Sequence, residues 1–241
     1  NQAIIRSAAG LAEAAMEGTV LEARAVLCDA EHNLHVEMPC MEGIIPYMEG
    51  AIGIAEGTTR DIAILSRVGK PVCFVVTAVE ETGGTVRLTL SRRLAQQKAL
   101  DAMLAQLSPG QVIPAVVTHL EPFGAFVDIG CGVTSMIGIE AISVSRIPHP
   151  AERFSPGQSI FAAVLDLDRR AGRVYLTHKE LLGTWAENAA RFQPGMTVPG
   201  IVRGIKEYGA FVELTPNLSG LAELRPSRRP SGLRKTSRLS N

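Results

Sequence analysis

Two short stretches hold the residue types best suited to chemistry. "EPFGAFVDIG" sets Phe123 and Phe126 on either side of Gly124, and "KEYGAFVELT" sets Tyr208 and Phe211 on either side of Gly209. The chemistry open to such pairs is non-covalent: a flat ring presented to water can stack on another flat ring. The competing use is core packing. In a regular strand, residues three apart point to opposite faces, so one ring would go in and the other out. A bulge at Gly124 would add a residue and bring both rings to one face. Ala125, Val127 and Ile129 already supply an inward apolar row. On spacing alone, core packing and an exposed platform remain equally open.

Covalent chemistry finds no carrier. The chain has no P-loop, no G-x-S-x-G, no H-E-x-x-H and no dinucleotide fingerprint leading into a helix. Asp166 and Asp168 alternate on one strand without a partner base. The expectation is therefore no enzyme and no cofactor. Cys28, Cys40, Cys73 and Cys131 make no C-x-x-C pair and have no histidines at zinc-ligand spacing. They read as reduced thiols of a cytoplasmic protein. His32, His35, His119, His149 and His178 read as turn or surface positions, so no metal site is expected. Basic and acidic residues balance at 24 each, which argues against a polybasic binder but leaves local patches open. The longest apolar runs, such as "VCFVV" (Val72 to Val76), fall far short of the roughly 20 residues a membrane helix needs. There is no signal-peptide pattern, and no membrane partner is expected. A chain beginning at Asn1 can start inside a longer one.

The elements that must position the aromatic pairs repeat. "PGQVIPAVVTHLEPFGAFVDI" from Pro109 aligns without a gap on "PGMTVPGIVRGIKEYGAFVEL" from Pro194. "GGTVRLTLSRR", ending at Arg93, aligns on "AGRVYLTHKEL", ending at Leu181, and each leads into an Ala- and Leu-rich segment stopped by Pro-Gly. "GTVLEARAVLCDAEHNLHVEM" joins the set with one gap, which puts His32, Asn33 and His35 where Phe123, Gly124 and Phe126 lie. His32 and His35 could thus be vestigial stacking residues. In the middle unit, "QVIPAVVTHL", "GAFVDI", "SMIGIEAI", "SIFAAVLDLD" and "GRVYLTH" read as strands, separated by the turn signals "EPFG", "GCGV", "SPGQ" and "RRAG". Five short strands without helical crossovers predict an OB-fold barrel.

The expected fold is mainly β: tandem five-stranded antiparallel OB-fold barrels joined by short linker helices, the third barrel incomplete. The division runs as an N-terminal helix (1–17), a degenerate repeat (18–94), a linker helix (95–108), a well-matched repeat (109–179), a linker helix (180–193), a truncated repeat (194–227) and a disordered basic tail (228–241). A barrel short of two strands leaves its edges unpaired, so the third unit is expected to be unstable alone.

The run "PGQ-V…PFGAFVDIG…MIGI…PGQ…V-LDLDRRAGRVYLTHK" resembles the S1 RNA-binding repeat, named after the multi-repeat protein of the bacterial small ribosomal subunit. The middle unit matches over its whole length, the third as far as "GLAEL", and the first loosely. The resemblance implies an OB-fold that binds single-stranded RNA, mRNA included, on one barrel face. It implies that Phe123, Phe126, Tyr208 and Phe211 stack on bases, and it carries an Asp and an Arg near the last turn over to Asp168 and Arg173, with one extra residue between them. A third-strand histidine of the family is missing: Gly138 holds its place in the middle unit, Glu223 in the third and Pro46 in the first. Glu223 would repel phosphate. Arg146, Arg153, Arg169, Arg170, Arg173 and Lys179 can contact phosphates, against an acidic set that includes Glu121, Asp128, Glu140 and Glu152. One unit should bind weakly and salt-sensitively, with avidity across linked units. The first unit lacks the aromatic pair and is expected to meet the ribosome or another protein. The expected function is RNA binding in the bacterial translation machinery. Two alternatives stay open: a protein-docking scaffold of degenerate barrels, and an RNA-targeting appendage of an RNA-processing enzyme lying outside this chain. Side-by-side exposure of Phe123 and Phe126 would discriminate.

Overall fold

The computed structural model describes residues 4–39, 41–82 and 85–223. Cys40 and the basic tail lie outside the described residues. Helix α1 (Ala8–Glu17) is capped by Ser7, whose hydroxyl accepts from the Gly10 amide, and it stops at Gly18, where φ is 62°. Five strands follow: β1 (Leu21–Cys28), β2 (Leu34–Met38), β3 (Met41–Ile45), then, after the short α2 (Ile62–Leu65), β4 (Pro71–Thr82) and β5 (Thr85–Ser91). They close into a barrel in the order β1-β2-β3-β5-β4.

Helix α3 (Arg92–Gln106) leads to the second barrel: β6 (Val112–Glu121), β7 (Gly124–Asp128), β8 (Thr134–Gly138), the short α4 (Ile139–Ile142), β9 (Ser159–Asp168) and β10 (Arg173–Thr177). Its order, β10-β8-β7-β6-β9, repeats that of the first. A single turn and the short α5 (Trp185–Ala189) lead to β11 (Ile201–Lys206), β12 (Gly209–Thr215) and β13 (Leu218–Glu223), an open three-stranded sheet. The fold is the expected series of OB-type barrels, with a three-stranded sheet as the third unit among the described residues. One detail differs: each barrel closes on a parallel pair, β3 with β5 and β8 with β10. The third and fifth strands are joined by a long connection through the fourth, which leaves them running the same way.

Strand alternation makes the cores. In β6, Ile113, Ala115 and Val117 point in while Val112, Pro114 and Val116 point out. Each barrel has its own apolar centre, around Leu21, Phe74 and Leu88 in the first and Val127, Ile137 and Leu176 in the second. The seam between them is polar and specific. The Gln96 side chain on α3 accepts from the Ile52 amide (2.9 Å) and donates to the Gly132 carbonyl (2.6 Å), one partner in each barrel. Buried Arg92 donates to the Gly50 carbonyl at 2.8 Å.

The repeat extends to irregularities. The first hairpin of every unit carries a register shift at the matching place: Ala25 to Leu27, Val117 to His119 and Val202 to Gly204. Gly124 pairs regularly with Glu121 and Gly138, so the bulge expected at Gly124 lies instead across the hairpin, at Thr118. The glycine serves close approach: a Cβ there would sit 2.6 Å from the Ile137 carbonyl oxygen, and one at Gly209 would sit 2.8 Å from that of Ala222. Gly124→Ala should therefore destabilise the second barrel by about 2 kcal/mol through overpacking. Gly204→Ala, which meets open space, should stay within about 0.5 kcal/mol of wild type. Denaturant midpoints of the two variants measure the difference.

Candidate nucleic-acid interface

Phe123 lies in the two-residue turn between β6 and β7, ahead of the strand that holds Phe126. It is thus free of strand alternation. The two rings meet edge to face, 6.0 Å between centroids and 84° between planes. Phe123 is 56% exposed and Phe126 half-buried, while Ala125, Val127 and Ile129 fill the core. Both rings face outward on one side of the barrel.

The bulge at Thr118 turns His119 opposite Phe126. The two rings stack in parallel, 4.2 Å apart with 8° between planes. The sequence marks His119 only as a surface position; its stack on Phe126 is set by the register of the neighbouring strand. The row continues sideways, since Phe126 pairs with Met136 on β8 and Met136 with Tyr175 on β10. A shallow depression of about 270 Å³ runs beside the row, lined by Phe126, Met136, Arg173 and Tyr175 among others.

Arg173 is exposed at the start of β10, in register with Asp168 at the end of β9. The Asp168 carboxylate accepts from the amides of Arg170 (3.0 Å) and Ala171 (2.9 Å). It fastens the hairpin turn that presents Arg173. Two arginines expected to meet phosphate are engaged elsewhere: Arg169 donates to the Leu104 carbonyl at 3.1 Å, and Arg153 pairs with Glu213 on the third sheet.

The third sheet repeats the geometry. Tyr208 sits in the turn, Phe211 on β12, and their rings meet at 6.3 Å and 86°. They are 60% and 39% exposed. Gly204 stands opposite Phe211 where His119 stands opposite Phe126, so this pair has no stacked partner. Glu223 pairs with Gly209 as Gly138 does with Gly124.

The first barrel presents another surface. His35, in the place of Phe126, lies 3.2 Å from the Asp29 carboxylate, which also accepts from the Asn33 side chain (3.0 Å) and backbone (2.8 Å). The hydrogen bond from the Asn33 side chain leads the effects that hold Asp29 below the usual carboxylate range. His32, at φ 63°, has its ring 5.8 Å from Tyr47. The Tyr47 hydroxyl donates to Asp61 at 2.7 Å. This face carries carboxylates where the second barrel carries open rings. Among the described residues no group of three or more His, Cys, Asp or Glu side chains is placed to hold a metal ion, and no helix is long and apolar enough to cross a membrane.

Residues 106–179, which span the second barrel, match the S1 RNA binding domain family. The small ribosomal subunit protein bS1 of Leuconostoc lactis is 36% identical over 151 residues, covering 61% of this chain and 35% of that protein. The bS1 of Rhodopseudomonas palustris is 31% identical over 167 residues, covering 67% and 29%. Among solved structures, GSP13 from Bacillus subtilis is 20% identical with a TM-score of 0.31, covering 39% of this chain and 78% of that one. The chain spans about a third of the length of the curated relatives it matches.

Proposed function

We propose that this chain, whose second barrel is an S1-type repeat, binds single-stranded RNA through the outer face of that barrel. In this reading it works within or beside the translation machinery of the cytoplasm, with mRNA among its ligands. The observation that carries the reading is that exposed Phe123 and half-buried Phe126 lie side by side on the outer face, with Arg173 on the flank. Exposed rings side by side suit unstacked bases, and stacking tolerates any base because each has a π-face. Arg173 supplies a phosphate contact, and Asp168 fixes the turn that holds it. Tyr208 and Phe211 offer a second, weaker station. Similarity to bS1 supports the translation setting. The first barrel, with carboxylates in place of rings, suits a protein partner, the ribosome included, better than a phosphate chain. The scaffold alternative loses ground because both rings lie on the outer face of the second barrel, Phe123 exposed and Phe126 half-buried, rather than in its core.

The test is anisotropy with a labelled single strand of about a dozen nucleotides, the length one or two OB-folds cover, beside a duplex of equal length. The expected result is saturable binding of the single strand, weakening with salt on a shallow slope because few phosphates are contacted, and little binding of the duplex. No saturable binding at low salt, or equal binding of the duplex, overturns the proposal.

A further inference from the structure

We infer that His119 is the outermost stacking ring of the second barrel: an RNA base lies on its solvent side, with Phe126 as the backing plate. The inference rests on the single-stranded RNA reading above and extends it to a residue outside the aromatic pair.

Three observations converge. A parallel stack of two rings leaves each with one free face, and of this pair His119 is exposed while Phe126 is half-buried. The strand is also open at that point. β9 pairs with β6 only over Val112 to Val116, and the last backbone bonds on that side are made at Val117 by Gly157 and Gln158. From His119 onward β6 pairs with β7 and no longer with β9, and His119 itself is exposed. Finally, the ring is held in place. The Thr118 hydroxyl donates to the Phe126 carbonyl at 3.1 Å and lies 3.3 Å from His119 Nδ1. With its one hydrogen committed, that hydroxyl can only accept from Nδ1–H, which orients the imidazole and leaves Nε2 for the edge of a base or a ribose hydroxyl. Histidine is among the side chains on which RNA bases stack, and a ring ordered beforehand loses little freedom on binding. The third sheet, with Gly204 in this place, lacks the station.

The experiment uses the full chain and a labelled oligouridine of about a dozen nucleotides, with His119→Ala, His119→Leu and His119→Tyr beside Phe123→Ala/Phe126→Ala. Leucine covers Phe126 as well as histidine does but has no π-face; tyrosine keeps one. The expected result is about tenfold weaker binding for the alanine and leucine variants and affinity within about twofold of wild type for tyrosine. A second readout is spectroscopic. In a Trp185→Phe background, His119→Trp provides the sole indole, and its fluorescence should be quenched by RNA with the same saturation point as the anisotropy. If the leucine variant binds as tightly as wild type, or the indole does not respond, His119 only packs on Phe126 and the inference falls while the RNA reading stands. If folded wild type binds no oligouridine, both fall.

Discussion

Replacing Phe123 and Phe126 together by alanine should lower affinity for single-stranded RNA about a hundredfold while moving the unfolding transition little. Base–aromatic stacking contributes about 1–3 kcal/mol per base. The variant removes two stations, Phe123 and the His119–Phe126 stack, and at the low-to-middle part of that range these make about 3 kcal/mol, or two decades in the dissociation constant. Stability should change less, because Phe123 is 56% exposed and lies in a turn. Phe126 is half-buried, and its truncation loses the stack with His119, which costs about 1 kcal/mol. The contrast variant is Val127→Ala, one residue along β7 and fully buried. It should lower stability by about 2 kcal/mol and leave the affinity of the folded protein unchanged. Anisotropy and denaturant unfolding, run on both variants, separate the two sides of the strand. A double variant that binds like wild type would remove the rings from the interface. One that unfolds in parallel with its loss of binding would return them to the core.

The gross architecture was legible because it is written in features with a short reach. Alternation in "QVIPAVV", turn pairs such as "PG" and "AG", and the recurrence of "GAFV" each depend on a few neighbouring residues. The gapped overlay of the first unit also has a structural counterpart: His35 stands opposite Leu27 as Phe126 stands opposite His119. The third unit's position of Glu223 opposite Gly209 follows the same alignment. What escaped depends on contacts across strands or between units. The bulge could not be assigned to Thr118 from its own sequence, because an extra residue in one strand of a hairpin is defined by the other strand. From sequence alone His119 reads as an ordinary surface residue and Gly124 as a bulge position, whereas Gly124 serves to let the β8 backbone approach. Arg153 reads from sequence as a free phosphate contact because its partner, Glu213, lies far along the chain, in the repeat's position for Asp128. That position does two jobs. Asp128 caps its own turn by accepting from the amides of Gly130 (2.9 Å) and Gly132 (3.2 Å). Glu213, one methylene longer, turns to the neighbouring barrel instead.

That turn makes Glu213 the residue whose loss should most disturb the third sheet. Its carboxylate is 4% exposed and lies between two arginines. Arg203 Nε donates to one oxygen at 2.5 Å, Arg153 donates to the other, and Arg203 also pairs with Glu152 at the edge. Its hydrogen bond to Glu213 leads the effects that raise the Arg203 pKa above its ordinary value. Removing the carboxylate leaves two mostly buried guanidinium groups facing each other, and Arg153 Nε already lacks a hydrogen-bond partner. Breaking a buried pair from one side costs about 3–5 kcal/mol, because the remaining charge stays desolvated. The sheet has little to set against that loss. Ile201, Val202, Ile205 and Leu221 are exposed, Leu218 is its main buried apolar residue, and its other ties are neutral hydrogen bonds: the Ser145 amide donates to the Pro216 carbonyl at 3.2 Å, the Ser145 and Ser219 hydroxyls meet at 2.9 Å, and Asn217 donates to the Gly183 carbonyl. Glu213→Ala should therefore release the sheet. Amides of β11 to β13 should lose hydrogen-exchange protection while those of the two barrels keep theirs. Glu152→Ala, which removes only the more exposed partner, should cost less than about 1 kcal/mol. Release also unfixes Tyr208 and Phe211 relative to the second barrel, so an RNA long enough to reach both stations should bind several-fold more weakly, while one short enough for a single barrel should not notice. Unchanged protection in β11 to β13 would mean that the sheet is held by its backbone pairing and the serine contacts, and that the ion cluster is incidental to docking.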